Sequence, residues 1–342
     1  MRSFEPSTTV FNLGEKVIIE EILRPLFNPQ NEKNSVGDDC AALEVPFGSF
    51  AITSTDRVPA DLISFRTGIL NFRNLGRYLG VLNLSDIAAC GGVPLALLFN
   101  CGLPRDLLIE DLLRVSIGFQ NITTQFGAKI VGGDITASSE LSLSATVIGH
   151  VEKNRMLRRS GARLGDSVFV SREIGLTPIA LDYCLQRNQY DWLSGDERKQ
   201  LEAQFNSIEP EIHLGRKLAL SGECTSCMDN TDGHGQSLLE LARESDCSIL
   251  ILEQDLGLGP LVTRVAGKKK CDAATIALGP GADFSLVGTL AGNWTTEEAE
   301  QAFGSKVRVI GKVIAGKGVV LQRGNRVESL NVQGWNYFQQ SS

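Results

Sequence analysis

The 342-residue chain is predicted to be an α+β protein with two domains. Its length exceeds the 100–200 residues usual for one domain. Segments with helical and strand periodicity follow one another in mixed order in both halves. A polar stretch rich in Arg and Gly, K-N-R-M-L-R-R-S-G-A-R-L-G-D at 153–166, lies between the halves and is typical of a domain boundary. We therefore predict domains at 1–152 and 153–342.

The N-terminal half reads as four strands and two long helices. Between Leu141 and Val151, apolar and polar residues alternate, which indicates a strand with one buried face. The run after Asp106 has apolar residues on one helical face, with Asp106 placed to cap it and Gly127 just beyond its end. The predicted strands are 49–55, 94–103, 129–132 and 141–151, and the two helices are 75–90 and the run that ends before Gly127.

The C-terminal half repeats this mixture. Strands are predicted at 167–171, 226–228, 248–252, 284–290, 307–314 and 318–323, and helices within 177–187, 196–206, 213–221, 236–244 and 296–303. The last two strands are expected to pair with each other. Between them, the segment from Gly311 to Gly318 resembles a phosphate-binding loop, but it lacks the final Ser or Thr and precedes a strand, so we interpret it as a hairpin turn.

Composition and charge exclude several classes of protein. A net charge of −7 disfavours a nucleic-acid-binding surface, and the basic triplet at 268–270 is interpreted as a solvated helix end or loop. The sequence contains neither a secretory signal nor an apolar stretch of about 18 residues, which predicts a cytoplasmic protein without membrane contact. Eight cysteines are too few for a disulfide scaffold, and we interpret Cys224 and Cys227 as reduced strand cysteines and not as zinc ligands.

Two common catalytic signatures are absent. No G-x-G-x-x-G follows a strand, and no Ser occupies a G-x-S-x-G turn. The three histidines, His150, His213 and His234, are scattered along the chain. Dinucleotide binding through this fingerprint and nucleophilic hydrolysis therefore have little support.

Aspartates at the ends of predicted elements are the notable chemical feature. A lone Asp in such a place is most often a cap or turn residue. Asp86 is different because it interrupts an apolar helix, where an unpaired carboxylate costs several kcal/mol. If the aspartates converge, they form a set of hard oxygen ligands that favours Mg²⁺ over zinc. Since Mg²⁺ bound by carboxylates usually shares its coordination shell with substrate phosphates, the pattern indicates nucleotide chemistry. The aspartates are Asp38, Asp39, Asp56, Asp86, Asp134, Asp229 and Asp232.

Seven motifs, taken together in order and spacing, resemble the thiamine-monophosphate kinase family. This family belongs to the superfamily of aminoimidazole ribonucleotide synthetase, selenophosphate synthetase and the hydrogenase-maturation dehydratase. The resemblance extends from about residue 10 to 338. The motifs are G-D-D-C-A-A-L at 37–43, S-T-D at 54–56, N-L-S-D-I-A-A-C-G at 83–91, G-G-D at 132–134, R-S-G-A-R-L-G-D at 159–166, D-N-T-D-G at 229–233 and G-W-N-Y-F at 334–338.

The resemblance implies a two-domain, aminoimidazole ribonucleotide synthetase-like fold whose N-terminal domain binds ATP and Mg²⁺ and pairs in a homodimer. It implies transfer of the ATP γ-phosphoryl group to the phosphate of thiamine monophosphate. Asp56, Asp86 and Asp232 would be the catalytic residues. The implied Mg²⁺ ligands are Asp39, Ser54, Thr55, Asp56, Asp86, Asp134, Asp229 and Asp232, and the residues against ATP are Gly133, Asp134, Arg159 and Thr231.

Several positions at the acceptor end depart from the family pattern. Ser64 replaces a His, and Ala282 replaces a Glu that contacts substrate. The family's R-P-x-P-R segment reads Ser207-Ile208-Glu209-Pro210-Glu211 and loses both arginines. Its T-x-G-D turn reads Arg172-Glu173-Ile174-Gly175-Leu176 and lacks the Asp. Trp335 still suits stacking on a heteroaromatic ring. We therefore expect Ser64, Ala282 and Trp335 to face the acceptor.

Three interpretations remain at the level of sequence. The first is an ATP- and Mg²⁺-dependent kinase acting on thiamine monophosphate. The second is a relative that keeps the ATP chemistry but uses another small-molecule acceptor, by phosphorylation or by ATP-driven amide formation. The third is a nucleotide-binding dimer without catalytic activity. The changes at the acceptor end, set against intact aspartate motifs, keep the second interpretation open.

Overall fold

A computed structural model describes residues 4–30, 40–304 and 306–330. The predictions for Asp38, Asp39 and Trp335 fall outside these residues. The chain divides into two compact units, one formed by residues up to Ile87 together with Gly92–Asn154, the other by Ala88–Gly91 together with the residues from Arg155 onward. In the described ranges, no helix combines the length and apolar character needed to cross a membrane.

The N-terminal unit is built on a four-stranded sheet with the order β1-β4-β2-β3. Strands β2 and β3 are parallel, and the other neighbours are antiparallel. Strand β4 alternates buried and half-buried residues along its whole length, as its sequence predicts. The elements in chain order are α1 (Val10–Leu13), α2 (Glu15–Ile18), a π-helical turn (Ile19–Leu23), α3 (Arg24–Phe27), β1 (Ser49–Arg57), α4 (Ile63–Arg66), α5 (Phe72–Ala89), β2 (Val93–Leu103), α6 (Ile109–Gln125), β3 (Lys129–Ala137) and β4 (Ser142–Glu152).

Helices α5 and α6 cross in close backbone contact at two glycines. A Cβ atom at Gly76 would lie 1.8 Å from the Val115 carbonyl oxygen, and one at Gly118 would lie 1.9 Å from the Arg73 carbonyl oxygen. Both helices bury apolar residues at helical spacing, among them Leu79 and Leu112. Glycine is therefore required at this crossing because no side chain fits between the backbones.

The beginning of α6 differs from the sequence prediction. Asp106 does not cap the helix, which has Leu108 at its N-cap position and no side-chain cap. The Ile109 amide instead donates to the Thr8 carbonyl oxygen at 2.9 Å. A backbone group brought in from the N-terminal segment therefore accepts from the first helical amide, a long-range contact that local sequence does not reveal.

The C-terminal unit contains a seven-stranded mixed sheet with the order β11-β10-β7-β9-β5-β8-β6. Its core is formed by the apolar strands with α10 and α12, and Val170, Leu241 and Ile310 are fully buried there. The elements are β5 (Ser167–Val170), α7 (Leu176–Leu185), α8 (Gly195–Asn206), α9 (Ile212–Ser221), β6 (Cys224–Asp229), α10 (His234–Glu244), β7 (Ser248–Leu252), α11 (Pro260–Lys269), α12 (Ala273–Ala277), β8 (Leu286–Leu290), α13 (Thr296–Phe303), β9 (Arg308–Ile314), β10 (Gly318–Arg323) and β11 (Arg326–Ser329).

The prediction that β9 and β10 pair as a hairpin was wrong. Strand β7 lies between them, antiparallel to β9 and parallel to β10. The short connection passes the beginning of β7, where the Ser248 hydroxyl donates to the Gly318 carbonyl oxygen at 3.1 Å. The segment Gly311–Gly318 is therefore a crossover over one strand and neither a hairpin nor a phosphate-binding loop.

Most other predicted elements are present with bounds shifted by one to three residues. Strand β3 continues five residues beyond its predicted end at Gly132. The basic triplet lies at the end of α11, where Lys270 adopts the left-handed conformation of a helix C-cap, as interpreted from the sequence. Helix α11 itself was not predicted.

Replacing Gly76 by Ala is expected to lower the free energy of unfolding by about 1–3 kcal/mol, because the new methyl group would force α5 and α6 apart. Thermal unfolding monitored by circular dichroism would measure this change. The matched control is Gly195→Ala in α8, where a Cβ meets no atom within 4 Å. Equal melting temperatures for the two variants would contradict the proposed crossing.

Candidate functional site

At the end of β1, the predicted ligands lie on two faces of the sheet. Ser54 pairs with Val147 and Asp56 with Ala145, so both face the side on which β4 is buried. The Thr55 side chain lies on the other face and donates to the Ala145 carbonyl oxygen at 2.9 Å. Ser54 and Asp56 can therefore share one ion through their side chains, and the Thr55 hydroxyl cannot join them there.

Helix α5 brings Asp86 into the same neighbourhood. The Asp56 amide donates to Asn83 Oδ1 at 3.2 Å, and Asp86 is one turn after Asn83. Asp86 is half-buried, not enclosed in the helix packing as its sequence context predicted. Its carboxylate makes no hydrogen bond or ion pair with the residues that the structure describes. A half-buried carboxylate without a donor is a suitable ligand for a cation.

A second part of this unit surrounds Gly133 and Asp134 on β3. A Cβ atom at Gly133, whose φ is +152°, would lie 1.8 Å from the Phe99 carbonyl oxygen, so this position requires glycine. Asp134 is exposed and lines a cavity of about 570 Å³. The lining also includes the apolar side chains of Ile19, Leu23 and Phe27 and a second acidic residue, Glu15. The cavity therefore combines two acidic residues with apolar side chains, as in sites for a heterocyclic base.

Asp56 and Asp134 are on opposite edges of the four-stranded sheet. Asp56 pairs with Ala145, Ala145 with Phe99, and Phe99 with Gly133. Three strand spacings of about 4.8 Å separate β1 from β3. Within one chain, the two carboxylates are thus too far apart to bind the same ion.

In the C-terminal unit, D-N-T-D-G forms the turn between β6 and α10. Asp229 is the last residue of β6 and is buried, whereas Thr231 and Asp232 are half-buried at the turn. Gly233 has a φ of +110°, and a Cβ there would lie 2.3 Å from the Gly279 carbonyl oxygen. The turn therefore presents Thr231 and Asp232 just before the N-terminus of an 11-residue helix.

The charges around Asp232 oppose one another. Burial and the neighbouring Glu240 raise the pKa of Asp232, while the exposed Arg159 lowers it. Arg159 is close enough to act on this carboxylate, so the two predicted site residues belong to one electrostatic environment. A bound cation would offset the repulsion from Glu240.

A buried polar network fixes this turn from behind, and the sequence analysis did not predict it. Asp283, only 4% exposed, accepts from Asn230 Nδ2 at 2.9 Å and from Ser285 at its amide (3.0 Å) and hydroxyl (2.6 Å). His234 Nδ1 lies 3.3 Å from Asn230 Nδ2, and its Nε2 lies 3.3 Å from Ser285 Oγ. Burial lowers the pKa of His234, which favours the neutral ring. The sequence did contain a signal for this network, since His234 follows D-N-T-D-G directly and Ser285 follows Asp283 by two residues.

The acceptor-end departures other than Ser64 are also located in this unit. Arg172 Nε donates to Glu211 Oε1 at 2.6 Å, and Arg172 Nη1 donates to the Asp283 carbonyl oxygen at 3.1 Å. Glu211 is therefore neutralised by a neighbour and does not present an unpaired charge to a ligand. Ala282 is half-buried next to Asp283.

Ser64 is 1% exposed, and its hydroxyl has no hydrogen-bond partner among the described residues. It lies in α4 of the N-terminal unit, where it is buried. The structure therefore does not support a direct contact between Ser64 and a substrate.

A magnesium site here would need ligands beyond these side chains, such as phosphate oxygens and water. The described residues contain no group of three His, Cys, Asp or Glu side chains that could hold a metal. The donor set consists of carboxylate oxygens, which suits Mg²⁺, and Mg²⁺ commonly binds one or two carboxylates with phosphates and water. Cys224 and Cys227 do not suit a metal, because their mutual hydrogen bond and burial raise the pKa of the Cys227 thiol.

Comparison with known proteins first defines the class. Residues 37–151 match the family model described as AIR synthase related protein, N-terminal domain. The fold matches that of thiamine-monophosphate kinase from Stenotrophomonas maltophilia K279a, with a TM-score of 0.76 and 24% identity over 90% of this chain and 96% of that chain. The N-terminal residues thus match AIR synthase-related proteins, and the chain has the aminoimidazole ribonucleotide synthetase-like fold that its motifs implied.

The family follows from closer relatives. The chain is 30% identical to thiamine-monophosphate kinase from Pyrococcus abyssi over 318 residues, which are 91% of this chain and 93% of that protein. The solved structure described as AaThiL complexed with AMPPCP and TMP matches with a TM-score of 0.73 and 26% identity, covering 95% of this chain and 99% of that chain. The chain belongs to the thiamine-monophosphate kinase family, which confirms the resemblance of its motifs.

Replacing Asp232 by Asn should stabilise the protein without ligands at neutral pH. Because the folded-state pKa of Asp232 is raised, the stabilisation from its protonated form is lost as the pH rises through that pKa. Asn keeps the neutral state, so the variant should gain about 0.5–1 kcal/mol at pH 7 and nothing near pH 3. Urea unfolding at both pH values measures this difference.

The control for this measurement is Asp106→Asn, at an exposed position in the other unit. Its stability relative to the parent should change little with pH. A loss of stability at pH 7 in the Asp232→Asn variant would refute the unfavourable environment assigned to this carboxylate.

Proposed function

We propose that the protein phosphorylates thiamine monophosphate with ATP, giving thiamine diphosphate and ADP. The observation that carries this proposal is the match along nearly the whole chain to thiamine-monophosphate kinases, together with the preserved aspartate motifs. The relative described as complexed with AMPPCP, an ATP analogue, and TMP supports both substrates.

The aspartates would hold Mg²⁺, which neutralises phosphate oxygens when bound. Asp56 and Asp86, next to each other through Asn83, would form one group of ligands with Ser54, and Asp229 and Asp232 would form another. Thr55 would contribute at most through its backbone. Asp39 is added to the set on the basis of its motif alone.

The chain's own groups would bind and orient the two phosphates. Arg159 offers a planar guanidinium for phosphate oxygens, and Thr231 and the N-terminus of α10 offer donors next to it. Transfer between two phosphates needs little covalent assistance, so positioning and charge neutralisation supply most of the catalysis.

The nucleotide is proposed to bind at the cavity around Gly133 and Asp134. The missing Cβ of Gly133 allows close approach to the backbone, and the apolar side chains of the lining suit the adenine ring. Asp56 and Asp134, on opposite edges of the sheet, cannot complete one site within a chain. A homodimer pairing through the N-terminal unit would bring such edges together from two copies, and we propose that arrangement.

A second candidate keeps the ATP chemistry with a different acceptor. It is favoured by Ala282, where the family has a substrate-contacting Glu, and by the buried position of Ser64. Such an acceptor would be a small molecule with a phosphate or carboxylate that accepts the γ-phosphoryl group.

The activity is tested by incubating the protein with ATP, MgCl₂ and thiamine monophosphate and measuring thiamine diphosphate. We expect product formation that is lost on chelation with EDTA and falls at least about 100-fold in kcat for Asp86→Asn, because a ligand to Mg²⁺ is removed. Asp106→Asn is the control and should retain full activity. ATP binding without thiamine diphosphate formation would reject thiamine monophosphate as the acceptor.

Asp134→Asn is expected to weaken Mg²⁺-dependent ATP binding by at least about tenfold, which is 1.4 kcal/mol. Its stability should change by less than about 0.5 kcal/mol because the side chain is exposed. Titration calorimetry with AMPPCP, with and without Mg²⁺, measures the Mg²⁺-dependent part of the affinity, and thermal unfolding measures the stability. Unchanged AMPPCP affinity would place the nucleotide elsewhere.

A further inference from the structure

A second cavity, of about 560 Å³, lies in the C-terminal unit. It lies at the ends of two interior strands of the seven-stranded sheet, where β5 ends and β9 begins. We propose that this cavity binds a small zwitterion, with an oxyanion group on Arg308 and a basic nitrogen near Glu300. Its volume is in the range usual for small-molecule sites.

Two charged groups in the cavity wall are already neutralised. Arg172 donates to Glu211 Oε1, to the Asp283 carbonyl oxygen and to the Glu209 carbonyl oxygen. The Asp283 carboxylate accepts from Asn230 and from Ser285. These groups shape the wall but offer little charge to a ligand.

Arg308 is the half-buried cation of the described cavity wall whose charge is not neutralised. It is half-buried at the first position of β9, and its side chain makes no hydrogen bond or ion pair with any described residue. Its guanidinium lies across the backbone of Gly257, where a Cβ would be 2.5 Å from Cζ. Lys306, exposed at the mouth, adds a second positive charge. A guanidinium fixed against a glycine and lacking an acceptor is suited to a carboxylate or phosphate.

Glu300 provides the opposite charge. It is half-buried in α13, lines the same cavity, and has no partner in the described part of the chain. It does not pair with Arg308, although both line the cavity. The exposed Glu173 adds negative charge at the mouth. A simple anion would be repelled by these carboxylates, whereas a ligand that also carries a basic nitrogen would satisfy both signs.

The cavity is also connected to the turn that carries Asp232. Asp283 lines the cavity, and its carboxylate binds Asn230 within D-N-T-D-G. The oxyanion can therefore belong to the acceptor of the reaction or to a separate small molecule. The proposal concerns binding and does not require the proposed kinase activity.

The test is titration calorimetry on the full chain without ATP or Mg²⁺. O-phosphoethanolamine, which carries both charges, should bind at least about threefold tighter than glycerol 3-phosphate, which lacks the nitrogen. Arg308→Met should weaken O-phosphoethanolamine binding at least about tenfold. Arg326→Met, which removes the same charge from an exposed position on β11, should have no effect.

Three further variants keep the result independent of a folding defect. Lys306→Met alters an exposed side chain and should weaken binding severalfold. Gly257→Ala keeps the charge of Arg308 but displaces its guanidinium, and it should weaken binding as Arg308→Met does, provided that circular dichroism shows a folded protein. Glu300→Gln should remove the preference for O-phosphoethanolamine over glycerol 3-phosphate. Equal O-phosphoethanolamine affinity in the parent and in Arg308→Met and Lys306→Met would overturn the proposal.

Competition with thiamine monophosphate distinguishes the two sources of the ligand. Displacement of O-phosphoethanolamine, together with a raised KM for thiamine monophosphate in Arg308→Met, would assign the cavity to the acceptor. Simultaneous binding would assign it to a separate zwitterion. If no kinase activity is found while O-phosphoethanolamine still depends on Arg308, the proposed function fails and this site stands.

Discussion

The carboxylate of Asp283, almost wholly removed from water, holds together the functional edge of the C-terminal unit. An ionised carboxylate at such a place costs several kcal/mol unless donors replace its hydration. Asn230 and Ser285 supply three hydrogen bonds to it, and Arg172 binds the carbonyl of the same residue. The turn after β6, the segment before β8 and Arg172 in the segment after β5 are thereby fixed to one point. Loss of either side-chain donor would leave a buried charge with fewer partners, so the three segments hold their positions together.

This arrangement separates the buried groups that position the turn from the half-buried groups that we propose bind ligand. Asn230 and His234 are buried and satisfied within the network, while Thr231 and Asp232, between them in sequence, are half-buried. The left-handed Gly233 permits this reversal because its backbone passes the Gly279 carbonyl too closely for a side chain. A turn held from behind loses little conformational entropy when it binds an ion or a phosphate. The raised pKa of Asp232 is the electrostatic cost of holding a carboxylate there before a cation arrives.

The sequence predicted those parts of the fold that local periodicity determines. Strand β4 and helix α5 were found because a buried face repeats at two or at 3.6 residues. The order of the strands was not available from the same signal: β7 enters between β9 and β10 through contacts between residues about 60 to 70 positions apart. The missing cap at Asp106 has the same origin, since the Thr8 carbonyl replaces it.

The sequence named the candidate ligands but not their geometry. Aspartates at element ends and the resemblance supplied the names, but the predicted strand ended at residue 55, so the alternation that puts Thr55 and Asp56 on opposite faces was not applied to Asp56. The register with β4 then shows which of the two faces is buried. His234 was dismissed as one of three scattered histidines, although its spacing of four from Asn230 on the way into a helix puts the two side chains in contact.

The exchange of charge at the acceptor end has a different meaning in the structure than in the sequence. Glu211, where the family has Arg, was expected to repel a phosphate if that position faces the ligand. Arg172, at the start of the segment where the family has its T-x-G-D turn, binds Glu211 directly, so a neighbouring segment compensates the charge of Glu211. The Arg172–Glu211 pair therefore holds two segments of this unit together, and the Glu at position 211 is weak evidence on the identity of the acceptor. Ala282 has no such compensation, because no neighbouring substitution restores a carboxylate at its place next to Asp283. If the acceptor differs from that of the rest of the family, Ala282 and the unpaired charges of the adjoining cavity are the places in this unit where we expect the difference to arise.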